Sequence, residues 1–152
     1  MTVGKMIHIL FLAFSLSLCQ AVQAEKLVLE EPEKNVTLCI WNINEGAEIS
    51  LSYTHSLYGV QQCEEFRMID GSFFLAGVCF GSYDAALYYN DDPSGGIQYR
   101  ADGYYISEGK YLSEIFFKLA GCVRHVLRID NETVDLYAVA AAGAALRLSI
   151  KP

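Results

Sequence analysis

The chain has 152 residues, of which 53% are hydrophobic, and its 11 basic and 18 acidic residues give a formal net charge of −7. This length fits one compact domain. The acidic balance excludes a general nucleic-acid-binding protein, because such a protein needs a basic stripe to meet the phosphates.

The first 24 residues have the three parts of a secretory signal peptide. Lys5 supplies the positive start, Met6 to Leu18 form an apolar run, and Val22 to Ala24 form the cleavage site. An uncleaved membrane anchor is the alternative, but the run is shorter than the roughly 20 residues that span a bilayer as a helix. We therefore expect a periplasmic protein without a stable membrane span, cleaved after Ala24, whose single domain is residues 25–152.

Cleavage changes the charge and the cysteine count. Removing 24 of the 152 residues leaves 128 residues with a net charge of −8, because the removed segment carries one lysine and no acid. An even number of cysteines in an oxidising compartment suits two disulfides. The absence of a CxxC pair leaves a zinc ribbon or a thioredoxin-type site unsupported. The four remaining cysteines are Cys39, Cys63, Cys79 and Cys122.

Period-two alternation is the dominant pattern of the remaining chain. From Glu48 to His55, every second residue is large and its neighbours are small or polar, which predicts a half-buried strand. Glu65 to Ile69 and Phe73 to Phe80 are two more predicted strands, and the Asp70-Gly71 pair between them favours a tight hairpin turn.

This hairpin predicts a cysteine pairing. With Asp70-Gly71 as the turn, opposite residues have numbers that sum to 141 or 142, so Cys63 and Cys79 lie opposite or diagonal to each other. We expect a disulfide between them, and a second one between Cys39 and Cys122. Buried free thiols are the alternative.

The second half of the chain continues the strand pattern. Strands that recur with Gly, Asn and Asp between them predict an all-β domain, an antiparallel sandwich or barrel. Leu112 to Leu119 also fits helical spacing, and Ala138 to Ala145 is rich in alanine, but one short helix would not change the class. Asn90 to Gly96 consists almost wholly of turn-forming residues. The later predicted strands are Val123 to Ile129, Thr133 to Tyr137, and Leu146 to Ile150.

Two histidines remain after cleavage, and both lie on the large-residue face of their predicted strands. One interpretation is that His55 and His125 are core residues hydrogen-bonded to backbone or carboxylate groups. The other is that they meet Glu64 in a polar pocket. With Asp84 as a further ligand, these side chains would make a small metal-binding protein, the alternative function, provided that at least three of them converge.

A hydrolase would need Ser56 and His55 to act as nucleophile and base. Adjacent strand residues point to opposite faces, and the sequence has no GxSxG motif. We therefore expect no enzymatic activity and no cofactor, and we assign Ser56 to a turn. A tyrosine cluster is either a contact surface for a partner or ordinary strand composition. It comprises Tyr88, Tyr89, Tyr99, Tyr104 and Tyr105.

Three short motifs carry a family resemblance. The segment from Tyr53 to Tyr58, followed by Glu64, resembles the HS-containing segment of the DUF1850 family of small exported bacterial proteins. Ser82 to Tyr88 is similar to a second segment of that family, and His125 with Leu127 is similar to a late H-x-L strand.

The resemblance covers roughly residues 47–150, with departures. Asp84 and Ala86 replace two glycines of the family pattern, and Val60-Gln61 replaces a Thr-Pro step. The family has no established activity, and its members are associated with tripartite TRAP transporters of the TAXI type.

The resemblance therefore implies a non-catalytic binding or accessory protein of solute uptake. Its partners would be membrane or solute-binding subunits of the transporter, or a small solute. The family's shared residues also imply one pocket in this chain. These shared residues are His55, Ser56, Glu64 and His125, and we expect Tyr58 and Asp84 to line the same pocket.

Overall fold

The computed structural model describes residues 24–90, 96–121 and 123–152. Within these ranges the chain forms eleven β-strands, two 3-10 turns and one α-helix. In chain order the strands and the helix are β1 (Glu25–Glu31), β2 (Val36–Ile43), β3 (Glu48–Thr54), β4 (Gln61–Ile69), β5 (Ser72–Phe80), α1 (Tyr83–Tyr89), β6 (Ile97–Arg100), β7 (Gly103–Leu112), β8 (Glu114–Lys118), β9 (Val126–Ile129), β10 (Glu132–Asp135) and β11 (Ala145–Lys151).

The strands form two antiparallel sheets that pack together. The small sheet has the order β2-β1-β11-β8, and the large sheet has the order β10-β9-β3-β4-β5-β7-β6. The predicted all-β sandwich is therefore confirmed. The barrel alternative is wrong, because the strands make two separate sheets instead of one closed sheet.

Alternation along the strands builds the core between the sheets. In β3, Ile49 and Leu51 are buried, whereas Ser50 and Ser52 point to the other face of the large sheet. This pattern recurs in the strands around β3, so one face of the large sheet is apolar and the opposite face is polar. The largest fully buried side chains include Leu27, Leu29, Ile49, Phe73, Phe80, Leu127, Leu146 and Leu148.

The predicted β4–β5 hairpin is confirmed. Asp70 has φ 50° and Gly71 has φ 68°, and positive φ at both central residues is the feature of a type I′ turn. A register shift between Glu65 and Phe66 moves the pairing sum from 141 to 142, so that Cys63 lies directly opposite Cys79. Both sums agree with the expectation from the turn sequence.

Two helix indications in the sequence are wrong. Leu112 ends β7, and Glu114–Lys118 forms β8, because this segment pairs with β11 in the small sheet. Ile115 is buried and Phe116 is 64% exposed, as period two requires. The alanine-rich segment from Ala138 to Ala145 contains the end of a 3-10 turn and further turns before β11.

The α-helix lies instead at Tyr83–Tyr89, where sequence reasoning expected none. The Ser82 side chain caps its first turn by accepting a hydrogen bond from the Ala85 backbone N–H at 3.3 Å. Ala85 and Ala86 are fully buried, so small side chains allow the helix to approach the large sheet closely.

Three charged side chains link β1 and β11, the two central strands of the small sheet. Arg147 donates to Glu30 Oε2 at 2.7 and 3.2 Å, and Lys151 donates to Glu30 Oε1 at 2.7 Å. The hydrogen bonds from Lys151 and Arg147 hold the pKa of Glu30 below its usual value.

Some of the sequence predictions concern residues that the structure does not describe. Residues 1–23 of the expected signal peptide, residues 91–95 of the turn-rich segment, and Cys122 lie outside the described residues. Among the helices of the described part, none is long and apolar enough to cross a membrane.

Candidate functional site

His55 follows β3 at one end of the large sheet, in the tight connection to β4. Its backbone N–H donates to Val60 O at 2.7 Å, and its carbonyl accepts from Gly59 N at 2.8 Å. Its ring atom Nδ1 accepts from the backbone N–H groups of Leu57 and Tyr58 at 3.3 and 3.4 Å. In the neutral imidazole the proton therefore resides on Nε2.

Aromatic rings surround His55. The ring centroid of His55 lies 5.3 Å from that of Tyr58, 6.1 Å from that of Tyr88 in α1, and 6.4 Å from that of the buried Phe80. Tyr58 and Tyr88 contact each other at 5.9 Å. Tyr88 is 65% exposed and Leu57 is 64% exposed. We call the group of His55, Leu57, Tyr58 and Tyr88 the aromatic end.

A hydrogen-bonded cluster of polar side chains lies on the inner face of β3 and β4. The Tyr53 hydroxyl donates to Glu64 Oε1 at 2.6 Å and accepts from Gln62 Nε2 at 2.7 Å. Tyr53 pairs with Gln62 in the strand register, and Glu64 is the next residue of β4 on the same face. We call these three residues the Tyr53 cluster.

Burial controls the acidity of this cluster. It raises the pKa of Glu64, and the hydrogen bond from Tyr53 opposes that rise. Burial, followed by the adjacent Glu64 carboxylate, raises the pKa of Tyr53 far above its usual value. The Tyr53 hydroxyl therefore keeps its proton at neutral pH and donates it in the hydrogen bond to Glu64.

His125 joins this cluster through its ring. It is buried just before β9, stacks on Tyr53 with a centroid distance of 5.5 Å, and has Tyr137 at 6.1 Å. Its Nδ1 atom lies 2.9 Å from Val123 O, so this nitrogen carries a proton and donates to the carbonyl. Glu64 and His125 thus meet the same tyrosine, one at its hydroxyl and the other at its ring face.

The six predicted pocket residues divide into separate groups. His55 and Tyr58 belong to the aromatic end, while Glu64 and His125 contact Tyr53. Asp84 is exposed in the first turn of α1, where a carboxylate complements the helix dipole. Within the described ranges no three His, Cys, Asp or Glu side chains are grouped so as to hold a metal ion, so the metal-binding alternative gains no support.

The arrangement does not bring Ser56 and His55 together as a catalytic pair. Ser56 is exposed in the turn after β3, as the sequence indicates. The Nδ1 atom of His55 is taken by two backbone donors, and no hydrogen bond links its ring to Ser56 in the described part of the chain.

The polar face of the large sheet holds a cavity that sequence reasoning missed. Its volume is about 570 Å³, within the size range of small-ligand pockets. The sequence does contain a signal for this cavity, because the residues that alternate with the core residues carry hydroxyls, thiols and charges. The order of the strands in the sheet is needed to show that these residues lie side by side. We call this cavity the outer groove; its lining includes Ser50, Ser52, Cys63, Glu65, Cys79, Arg100, Asp102, Tyr105 and Arg128.

Cys63 and Cys79 lie opposite each other on the floor of the outer groove, as the hairpin predicted. Both are free thiols, as is Cys39 in β2, so the predicted Cys63–Cys79 disulfide is not formed here. The second predicted disulfide involves Cys122, which lies outside the described residues.

Comparisons with known proteins give no relative from which to extend this description. No model of a protein family, no curated protein and no solved structure matches the chain.

Proposed function

We propose that the chain is an exported, non-catalytic binding protein that docks onto a partner protein through its aromatic end. The observation that carries the proposal is the exposure of Leu57, Tyr58 and Tyr88 around one histidine. Exposed aromatic side chains that are grouped together mark contact surfaces, since aromatic residues are enriched where proteins bind each other.

The aromatic end is held in place before any partner arrives. Tyr58 and Tyr88 contact each other and His55, and the His55 ring accepts two backbone hydrogen bonds from its own turn. A surface ordered in advance loses little conformational entropy on binding. The Tyr53 cluster anchors the strand that leads into this turn, because Tyr53 lies in β3 two residues before His55.

The partner we propose is a subunit of a TRAP transporter of the TAXI type, in the periplasm. This part of the proposal is supported by the resemblance of residues 53–58 to the DUF1850 segment and by the signal-peptide pattern. The turn that carries the resemblance is the same turn that exposes Leu57 and Tyr58.

The test is co-purification from cells that express the tagged full chain together with a TAXI-type transporter from the same genome. We expect the transporter's membrane or solute-binding subunits in the eluate, and we expect Tyr88→Ala to reduce their recovery at least about tenfold, as for a contact residue at an interface centre. Recovery of no transporter subunit, with unchanged solute uptake in a deletion strain, would overturn the proposal.

Phe116→Ala is the matched control. Phe116 is 64% exposed, close to the 65% of Tyr88, but it lies in β8 of the small sheet. Equal losses with both variants would show that the partner responds to exposed aromatic area in general, which contradicts a specific docking surface.

A further inference from the structure

The two thiols on the floor of the outer groove are placed to react with each other. Cys63 and Cys79 are a direct cross-strand pair of β4 and β5. Opposite residues of antiparallel strands have Cα atoms about 4.5 to 5.5 Å apart, within the range that a disulfide bridges. Both side chains line the groove, where Cys63 is partly exposed and Cys79 is 5% exposed.

In the present state the Cys79 thiol contacts the turn between β6 and β7. Cys79 Sγ donates to the carbonyl oxygen of Asp102 at 3.6 Å. Cys63 lies opposite Ser52 of β3 in the strand register, and Ser50 and Ser52 line the groove beside it. To form a disulfide with Cys63, the Cys79 sulfur must leave the Asp102 carbonyl and turn toward Cys63.

The contact that Cys79 gives up belongs to the turn between β6 and β7. A Cβ atom on Gly103 would lie 3.3 Å from Cys79 Sγ and 2.3 Å from Phe80 O, so this turn packs tightly against β5. The φ angle of Gly103 is +139°, which also restricts the position to glycine. Cys79 therefore attaches this turn to β5, next to the backbone pairing of β5 with β7.

The same turn positions a charge of the groove. Arg100 ends β6, its guanidinium carbon lies 3.1 Å from the centroid of the Tyr105 ring, and one of its nitrogens lies 3.7 Å from Glu65. Glu65 lies two residues from Cys63 on the same face of β4. Movement of the turn would thus alter which charges face the groove.

We propose that Cys63 and Cys79 form a thiol–disulfide switch that fastens the β6–β7 turn over the outer groove in the dithiol state and releases it in the disulfide state. The co-reactant is a disulfide, of a small molecule or of a protein. One Cys–S–S–Cys bond forms, the S–S bond of the co-reactant breaks, and the two thiol protons and two electrons end on its two sulfur atoms as thiols. This inference is independent of the proposed docking at the aromatic end.

The surroundings of the thiols set the speed of this reaction. Burial, followed by the nearby Asp102 carboxylate, raises the pKa of Cys79 to about 11, and burial also raises the pKa of Cys63. At pH 8 only about one in a thousand Cys79 side chains is then the reactive thiolate. We therefore expect thiol–disulfide exchange at these cysteines to be slow and to become faster as the pH rises, so that the protein changes state rarely.

The test uses the full exported chain, purified under reducing conditions and incubated with oxidised glutathione at pH 8.5. Peptide mapping after alkylation should find a Cys63–Cys79 disulfide in the folded protein. Hydrogen exchange should then be about fivefold or more faster at the amides of residues 101–103, as for a local opening that has lost an attachment.

Two variants give the controls. Cys63→Ser keeps a small hydroxyl side chain but cannot form the bond, so oxidant should leave exchange at residues 101–103 unchanged. Cys39→Ser removes a thiol of the small sheet and should behave like the wild type. Failure of the folded protein to form the Cys63–Cys79 bond would overturn the proposal, and so would a disulfide that leaves exchange at residues 101–103 unchanged.

Discussion

Replacing Tyr53 with phenylalanine removes one oxygen atom that two polar side chains share. That oxygen donates to Glu64 Oε1 at 2.6 Å and accepts from Gln62 Nε2 at 2.7 Å, and Gln62 is only 5% exposed. The ring itself stays, so its stacking on His125 is retained. The substitution therefore isolates the two hydrogen bonds from the packing of the ring.

The two bonds set the expected loss. A hydrogen bond to a charged group contributes about 1.5–3 kcal/mol and a neutral one about 0.5–1.5 kcal/mol. Tyr53→Phe should thus lower the free energy of unfolding by about 2–4 kcal/mol at pH 7. A domain of this size loses about 4 °C in Tm per kcal/mol, so Tm should fall by roughly 8–16 °C.

Urea unfolding of the protein at pH 7 and at pH 4 measures this loss. Because burial raises the pKa of Glu64 above its usual value of 4.5, the carboxyl is mostly protonated at pH 4. Most of the charged share of the hydrogen bond is then absent in the wild type. We expect the cost of Tyr53→Phe to fall by about half at pH 4. Tyr99→Phe is the matched control, since Tyr99 is 78% exposed and should lose less than about 0.5 kcal/mol. A cost below about 0.5 kcal/mol at pH 7, or an equal cost at both pH values, would refute the role assigned to the Tyr53 hydroxyl.

Three further outcomes follow from single contacts. Glu64→Gln should gain stability relative to the wild type as the pH rises above 4.5. The reason is that the raised pKa of Glu64 makes the folded wild type bind more protons than its unfolded chain just above this pH. Equal slopes of unfolding free energy against pH for the two proteins would contradict this. Glu30→Gln should be less stable than the wild type at pH 7, and this difference should shrink as the pH falls below 4.5 toward the depressed pKa of Glu30. The reason is that a lowered pKa stabilises the fold fully above 4.5 and loses that effect as the folded carboxylate takes up its proton. Thermal melts over this pH series test it, and a constant difference would contradict it. Gly77→Ala should lower the free energy of unfolding by about 1–3 kcal/mol or more, because a Cβ atom there would lie 2.3 Å from Ile106 O. An unchanged Tm would show that the backbone has room for this Cβ atom and would contradict the prediction.

The hairpins could be predicted from sequence because their information is local. Asp70-Gly71 supplies both positive φ angles that the turn needs, and the turn then sets the partners along β4 and β5. The placement of Cys63 opposite Cys79 follows from this register alone. Asp130 also has a positive φ, of 48°, at the start of the β9–β10 turn.

The helix and the outer groove depend on partners distant in the sequence. Tyr83–Tyr89 contains three tyrosines, which favour strands, and becomes helical because Ser82 caps it and Ala85 and Ala86 fit against the sheet. Leu112 to Leu119 has helical spacing but is extended because β11 offers it a strand partner. Period two could identify the polar faces, but only the strand order brings β9 beside β3 and so places Arg128 in the groove.

The position of β11 has a consequence for the order of folding. This last strand lies between β1 and β8, and the Glu30–Arg147 pair that ties it to β1 joins residues 117 positions apart. The hairpins of the large sheet can form before the C-terminal residues are available, because their strands are close in sequence. The small sheet lacks one of its two central strands until β11 is available. A chain that crosses a membrane before folding would thus keep one half of its sandwich open until translocation is almost finished, and would close it in a single late step.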